Sequence, residues 1–360
     1  MESKLGRERA VVIWLLAVCL TIFAMIVVGG VTRLTHSGLS MVEWQPILGI
    51  IPPLSEVEWQ VTFDVYKQYP EYQTVNRGMT LAAFKSIFYW EYGHRVLGRL
   101  IGLIFFLPFV IFFMQQRFDA GMKIKMTVAF VLGGLQGLLG WYMVKSGLVD
   151  EPRVSHYRLA AHLGFALFLL AYLFWIVLGI ISRYLPPMQR LVKSVALTRL
   201  VWLLMIVLIV QIVYGAFTAG LKAGFGYNTF PLMNDQWIAD AVGMMTPLWL
   251  NLFESNATVQ FIHRWLGIGV TLLAIGVWTY GINKQLLTRQ RWGLHVLLGV
   301  VLIQFGLGVG TLIYTVPISL ASLHQAGACL LLLATVYVIF SLETTDNLQA
   351  SNPGNQPIDR

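Results

Sequence analysis

The chain has 360 residues, of which 57% are hydrophobic and 12% charged, against roughly a quarter charged in soluble domains. Its mean hydropathy of +0.69 excludes an ordinary soluble fold and points to a polytopic membrane protein whose solvent is lipid. The net charge of +8 sits mostly on basic residues flanking apolar runs, a topology signal rather than a nucleic-acid surface.

Residues 1–10 mix Glu with Arg, unlike the acid-poor, Ser-rich character of an organelle transit peptide. A helix needs about 20 apolar residues to cross the hydrocarbon core. Eight runs meet that length, at about 11–31, 95–114, 125–144, 159–181, 197–219, 259–282, 293–314 and 318–341. The first run has no clear small-residue cleavage site and is expected to persist as a helix. After it comes a long connection, 32–90, whose Trp44, Trp59, Tyr66 and Trp90 suit surface-lying helices at the membrane interface. A second long connection, 220–258, follows the fifth run. Residues 344–360 are polar with Pro and Gly and are expected to be disordered. Cys19 and Cys329 both lie inside apolar runs, so they form no loop disulfide and say nothing about compartment.

Charge orients these spans. Lys4, Arg7 and Arg9 share a side with Arg117, Lys123, Lys125, Arg183, Arg190, Lys193, Arg199, Lys284, Arg289 and Arg291. The positive-inside rule makes that side cytoplasmic. Both termini are then inside, and the two long connections lie outside, in the periplasm of a Gram-negative cell.

The chain repeats itself. Glu91-Tyr92-Gly93-His94-Arg95-Val96-Leu97-Gly98 returns as Gln260-Phe261-Ile262-His263-Arg264-Trp265-Leu266-Gly267. Gly29-x-x-Thr32 ends span 1 as Gly215-x-x-Thr218 ends span 5. Gln136-x-x-Leu139-Gly140 in span 3 matches Gln304-x-x-Leu307-Gly308 in span 7, and His162 in span 4 matches His324 in span 8. Four spans then four spans is the pattern of a doubled bundle. Each half has an even number of spans, so the halves share one orientation about an axis along the membrane normal. The expected fold is all-α: two pseudo-twofold-related four-helix bundles, an N-terminal half over 1–190 and a C-terminal half over 191–343.

Four histidines fall near the exterior ends of even-numbered spans, His94 with His162 and His263 with His324. Two imidazoles at similar depth on two helices can clamp a flat macrocycle through its metal. The plainer alternative is a hydrogen-bonding core histidine, which a fourfold, duplicated placement makes less apt, since ionisable groups at such depth are functional by default. A zinc site has little support, because neither half offers a third ligand at the right spacing. His36, His156 and His295 have no histidine counterpart and are assigned to structure or surface. Arg95 and Arg264 either snorkel to the interface or pair their forked guanidinium with heme propionates. Glu91 lies one turn from His94 on the same face. It is either a general base or electrostatic stabiliser at the macrocycle edge, or an interfacial Glu paired with Arg95 or a lysine. Gln260 keeps the shape without the charge, so the N-terminal half is expected to do chemistry and the C-terminal half to carry electrons.

At these residues the chain resembles the heme A synthase family, in its proteobacterial and mitochondrial branch, over nearly its whole length. The resemblance rests on Gly29-Gly30-Val31-Thr32-Arg33-Leu34-Thr35 with Ser37-Gly38-Leu39-Ser40, on Trp44-x-Pro46-x-x-Gly49 and Pro52-Pro53, and on Phe84-Lys85-x-Ile87-Phe88-x-x-Glu91-Tyr92-x-His94-Arg95. His162, His263-Arg264 and His324 complete it. It implies that His263 and His324 ligate a resident heme b, that His94 and His162 hold heme O as substrate, and that Glu91 is the essential acidic residue. The implied reaction oxidises the C8 methyl group of heme O to a formyl group, in the bacterial inner membrane, for the benefit of a terminal oxidase. It implies a heme O synthase, a prenyltransferase, as heme donor, and it requires an electron acceptor. Some members carry a cysteine pair in the first exterior loop; this sequence has none there.

Two rivals remain at this stage. A diheme b-type electron-transfer protein explains the four histidines equally well, though not the difference between Glu91 and Gln260. A heme transporter or chaperone would hold heme unchanged. Gly-rich spans 3 and 7 favour close helix packing, within one chain or in a homo-oligomer.

Overall fold

The computed structural model describes residues 2–42, 50–147, 154–184 and 194–350, with side chains described from 8 to 343. The disorder expected over 344–360 is corrected as far as residue 350, where the last helix continues; the rest of that expectation, and those attached to Trp44, Pro46 and Gly49 and to Arg190 and Lys193, fall outside these residues.

In lipid every backbone N–H and C=O must be satisfied internally, and a continuous helix does this within one segment. The described residues form α1 (Glu2–Leu34), α2 (Glu56–Tyr66), α3 (Pro70–Thr74), α4 (Leu81–Met114), α5 (Ala120–Gly147), α6 (His156–Ser182), α7 (Val195–Gly220), α8 (Asn251–Glu254), α9 (Asn256–Ile282), α10 (Thr288–Ile313) and α11 (Ile318–Ala350). Eight of them, α1, α4–α7 and α9–α11, are long and apolar enough to cross a membrane. This is the multi-pass, all-helical fold expected from composition.

Ends are set by side-chain caps. Ser55 and Glu58 form a reciprocal capping box at the start of α2, the Ser55 hydroxyl accepting from the Glu58 amide at 3.2 Å. The Thr80, Ser194 and Ser255 hydroxyls each accept one backbone N–H at the start of α4, α7 and α9, without the reciprocal bond.

Three boundaries differ clearly from expectation: the first spanning helix starts at Glu2 rather than near 11, the last runs to Ala350 rather than near 341, and, furthest from expectation, the second starts at Leu81 rather than near residue 95. Its added turns are held by aromatic packing: Phe84 and Phe88 bury against Trp59, Phe63 and Tyr66 of α2, with Phe63 and Tyr66 stacked on Phe84 at 5.0 Å. Trp59 and Tyr66 therefore serve a small buried core above the bundle instead of lying on a membrane surface, while Trp90 is exposed.

The spanning helices divide by burial. More than half of the most apolar stretch of α11 is buried, and α1, α6 and α7 follow it, whereas α4 and α5 bury only 6% of theirs. The inner four touch one another through the pairs α1–α6, α6–α7, α7–α11 and α1–α11. The α4–α5 pair packs on one flank, and α9 with α10 on the other. Outward-facing Leu103, Phe106, Leu107 and Ile111 of α4 are left to lipid. One polar strut crosses the centre: Gln325 of α11 donates to the carbonyl of Ile26 on α1 at 2.7 Å. It fits only because Gly30 has no β-carbon, which would fall 2.0 Å from the Gln325 amide oxygen.

Both long connections lie at the same end of the helices, the end where α4, α6, α9 and α11 begin. There Arg33, at the end of α1, donates to the carbonyls of Ala219 and Gly220 at the end of α7. The 221–255 connection is stitched by Asn251, whose amide donates to the carbonyls of Met245 and Leu248 and accepts from the Met245 N–H.

Candidate functional site

Each of the four repeated histidines sits on a glycine of the preceding neighbour helix. A β-carbon at Gly29 would fall 3.3 Å from His94 Nε2, at Gly140 2.9 Å from His162 Cε1, at Gly215 3.0 Å from His263 Cε1, and at Gly308 2.8 Å from His324 Cε1. These are the glycines that the duplicated motifs contain, and their repetition has a physical reason: each makes room for an imidazole against a helix backbone. Gln136 and Gln304, also duplicated, donate to the backbone carbonyls of His162 and His324 at 3.1 and 2.9 Å. They fix the helix turn that carries each ring.

The C-terminal pair is close. The rings of His263 and His324 have centroids 6.4 Å apart and planes at 84°. Two imidazoles sharing one metal at metal–nitrogen distances of about 2.0–2.1 Å would have centroids roughly 6.3 Å apart. Nδ1 of His162 is buried without a hydrogen bond among the described residues, while the rings of His263 and His324 lie against the backbone of Gln211 and Gln304. Paired rings seated on glycines at this separation fit ligation of a heme iron. His94 and His162 stand near enough to interact electrostatically in the N-terminal half.

Glu91 and Gln260 are both only 2% exposed, and each grips the loop that follows the preceding span. The Glu91 carboxylate accepts from the Ser40 hydroxyl and the Met41 N–H, both at 2.8 Å. Arg95 pairs with the other oxygen of Glu91 at 2.5 Å and donates to the Met41 carbonyl at 2.7 Å. Gln260 instead donates to the carbonyls of Ala223 and Gly226. Arg264 donates to the carbonyls of Thr229 and Leu232 at 2.7 and 3.0 Å and to that of Tyr227. The first loop presents donors and meets a carboxylate; the second presents acceptors and meets an amide. The pairing of Glu91 with Arg95 is the plainer of the two sequence expectations, but it is buried rather than interfacial. Both guanidinium groups lie beside their histidines with much of their donor capacity on loop carbonyls.

His36 is exposed in the left-handed region, φ 55°, at the end of α1, and Lys222 takes the matching φ of 57° at the end of α7. Partial desolvation among its neighbours, then the nearby positive charges of Lys222 and Arg33, hold the His36 imidazole below its usual range although its surface is largely open. His156 is buried at the start of α6 under Gly220, and His295 is exposed and accepts from the Trp278 indole.

One buried acid escaped sequence reasoning. Glu71 on α3 is 6% exposed, and its carboxyl is pushed up to about 8, first by burial and then by the charge of Glu91, with Lys222 opposing. Its position in a polar loop gave no periodic signal that would have marked it as buried.

The sequence profile of COX15-CtaA, described as cytochrome oxidase assembly protein, matches residues 12–336. The chain belongs to that family. It is 47% identical over 328 residues to "Heme A synthase" of Nitrosomonas eutropha, covering 91% of this chain and 92% of the relative. It is 44% identical over 340 residues to the protein of the same name from Nitrosospira multiformis, covering 94% of each. A third such protein, from Paramagnetospirillum magneticum, is 45% identical over 339 residues, covering 94% of this chain and 95% of the relative.

Proposed function

We propose that this chain is a heme A synthase, an oxidoreductase that converts the C8 methyl group of heme O to a formyl group. The observation that carries this reading is the pair of duplicated, glycine-seated histidine sites that differ at one buried position, Glu91 against Gln260. The names of relatives similar to it over nine-tenths of the chain agree.

His263 and His324 would hold a resident heme b, which supplies one-electron redox chemistry when bound. His94 and His162 would hold the substrate, heme O, with Glu91 at its edge. There Glu91 would take a proton or stabilise positive charge as the methyl group is oxidised. Its bonds to Ser40, Met41 and Arg95 keep the carboxylate in one position, so it acts without reorganising. Arg95 and Arg264, beside the histidines at the loop end of the bundle, would meet propionates. In this reading the loop end faces the periplasm, both termini are cytoplasmic, and the chain lies in the inner membrane as two four-helix halves. Heme O would arrive from a prenyltransferase, and electrons would leave to a separate acceptor.

The test is the heme content of membranes that express this chain together with a heme O synthase. Heme A in the extract, absent when the chain is omitted, is the expected result. Unmodified heme bound to a folded, heme-loaded protein would move the reading to a diheme electron carrier.

A further inference from the structure

Glu71 is unusual among the carboxyl groups of this chain. It is 6% exposed, and its Oε2 has no hydrogen-bond partner among the described residues. The helix end that carries it is fixed, because its backbone carbonyl accepts from Val75 and Asn76 at 2.9 and 3.0 Å. Asn76 in turn donates to the Tyr66 hydroxyl at 2.7 Å. Tyr66 is fully buried and stacks on Phe84. Phe84, Phe88 and Glu91 are the buried residues of the first turns of α4, spaced by four and three residues on one helix face. The α2–α3 unit therefore sets Glu71 on the face of α4 that carries Glu91. Water is close on the other side, since the neighbouring Gln73 and Thr74 are exposed.

We propose that Glu71 is the proton-holding partner of Glu91, so that each proton arriving on Glu91 is matched by one leaving Glu71 for water at the loop end. This rests on the heme O reaction proposed above, in which two C–H bonds of a methyl group are broken beside Glu91. At rest Glu91 is the carboxylate and Glu71 the acid. Protonation of Glu91 removes the negative charge that holds the proton on Glu71, and Glu71 releases it. Transfer of the proton from Glu91 to Glu71 then restores the resting pair. One proton has moved outward, no electrons have moved, and the pair has passed from one negative charge through none and back to one, never carrying the two that nearby buried carboxyls oppose. The other charged or titratable groups facing Glu71 are Tyr66 on α2 and Lys222 after α7, with Tyr72 beside Tyr66 and with His36 and Arg33 beyond Lys222.

The experiment is an infrared pH titration of the purified, heme-loaded protein. A carboxylic-acid carbonyl band should disappear with a midpoint near 8 and be missing from Glu71→Gln. Glu91→Gln should move the midpoint down, and Lys222→Gln should move it up, so the direction is tested twice even if one variant folds poorly. In turnover, Glu71→Gln should make heme A at least about tenfold more slowly, with its rate flat from pH 7 to 9, and Glu71→Asp should restore a titrating rate. A band that survives Glu71→Gln, or whose midpoint ignores both Glu91→Gln and Lys222→Gln, overturns the proposal. So does a Glu71→Gln rate with the wild-type pH profile. Heme O left unmodified by the loaded wild type would instead sink the parent reading, and the infrared midpoints would still decide the role of Glu71.

Discussion

Arg95 reaches back one helical turn to Glu91 and, with the same terminal nitrogen, forward to the carbonyl of Met41. This joins a buried carboxylate to the loop that roofs the N-terminal histidines. The matching Arg264 and Gln260 do the same for the C-terminal loop, with hydrogen-bond polarity reversed at position 260. The difference between Glu91 and Gln260 thus has a structural side as well as the chemical one proposed.

Exchanging the two residues should separate these sides. Glu91→Gln keeps an acceptor for Ser40 or Met41 but loses the ion pair with Arg95, and is expected to lower stability by about 1–3 kcal/mol while abolishing heme A formation. Gln260→Glu faces a carboxylate with the carbonyls of Ala223 and Gly226. It should cost about 1–3 kcal/mol, because two carbonyls lose their donor and only Arg264, 3.4 Å from the Gln260 oxygen, answers the new charge, and it should weaken heme binding by the C-terminal half. Thermal melts in detergent and the heme b absorbance measure both.

The glycine seats should respond to a single methyl group in order of clearance. Gly308→Ala and Gly140→Ala place a β-carbon under 3.0 Å from a ring, and should displace the imidazole at a cost of about 1–3 kcal/mol. Gly308→Ala should reduce bound low-spin heme b, and Gly140→Ala should spare it while reducing heme A yield. Gly29→Ala, with 3.3 Å of clearance, should be the mildest. Reduced-minus-oxidised spectra, with heme extraction, give the ranking.

The perpendicular rings of His263 and His324 carry a spectroscopic signature. Two axial imidazoles at right angles act alike on both π-type d orbitals of a ferric iron and leave them nearly degenerate. A heme held by this pair should therefore show one low-field electron paramagnetic resonance feature of large anisotropy. A three-line rhombic spectrum would mean that the rings lie parallel once iron is bound.

Glu71 ties stability to pH. Its carboxyl titrates near 8 in the folded protein, above the value of about 4.3 for an unfolded Glu. Its contribution is fully present below the lower value and is lost as pH rises through the upper one. Melting of the α2–α3 unit, followed by Trp59 fluorescence, should fall between about pH 5 and 8 in the wild type, level off above that, and fall less in Glu71→Gln.

Much of this was legible in sequence for a physical reason. Lipid forces long apolar helices, so the eight spans follow from composition, and duplication marked His94, His162, His263 and His324 without any structure. The glycines were visible as repeats, but a seat is a contact between two helices and has no signature in either alone. The extra turns of α4 were hidden because Glu91, His94 and Arg95 interrupt an apolar run, and only the aromatic layer from α2 shows why those turns stay helical. Glu71 was missed because its burial is created by the fold of a polar loop.

The strut from Gln325 to Ile26 adjoins both sites: Gln325 directly follows His324, and Ile26 stands one turn before Gly29, the seat of His94. With a heme in each half, that one hydrogen bond braces the gap that electrons would have to tunnel across. Tunnelling falls off exponentially with distance, so a cavity cut at Gln325 would act as a change of clock rate, slowing the exchange between halves while leaving every ligand in place.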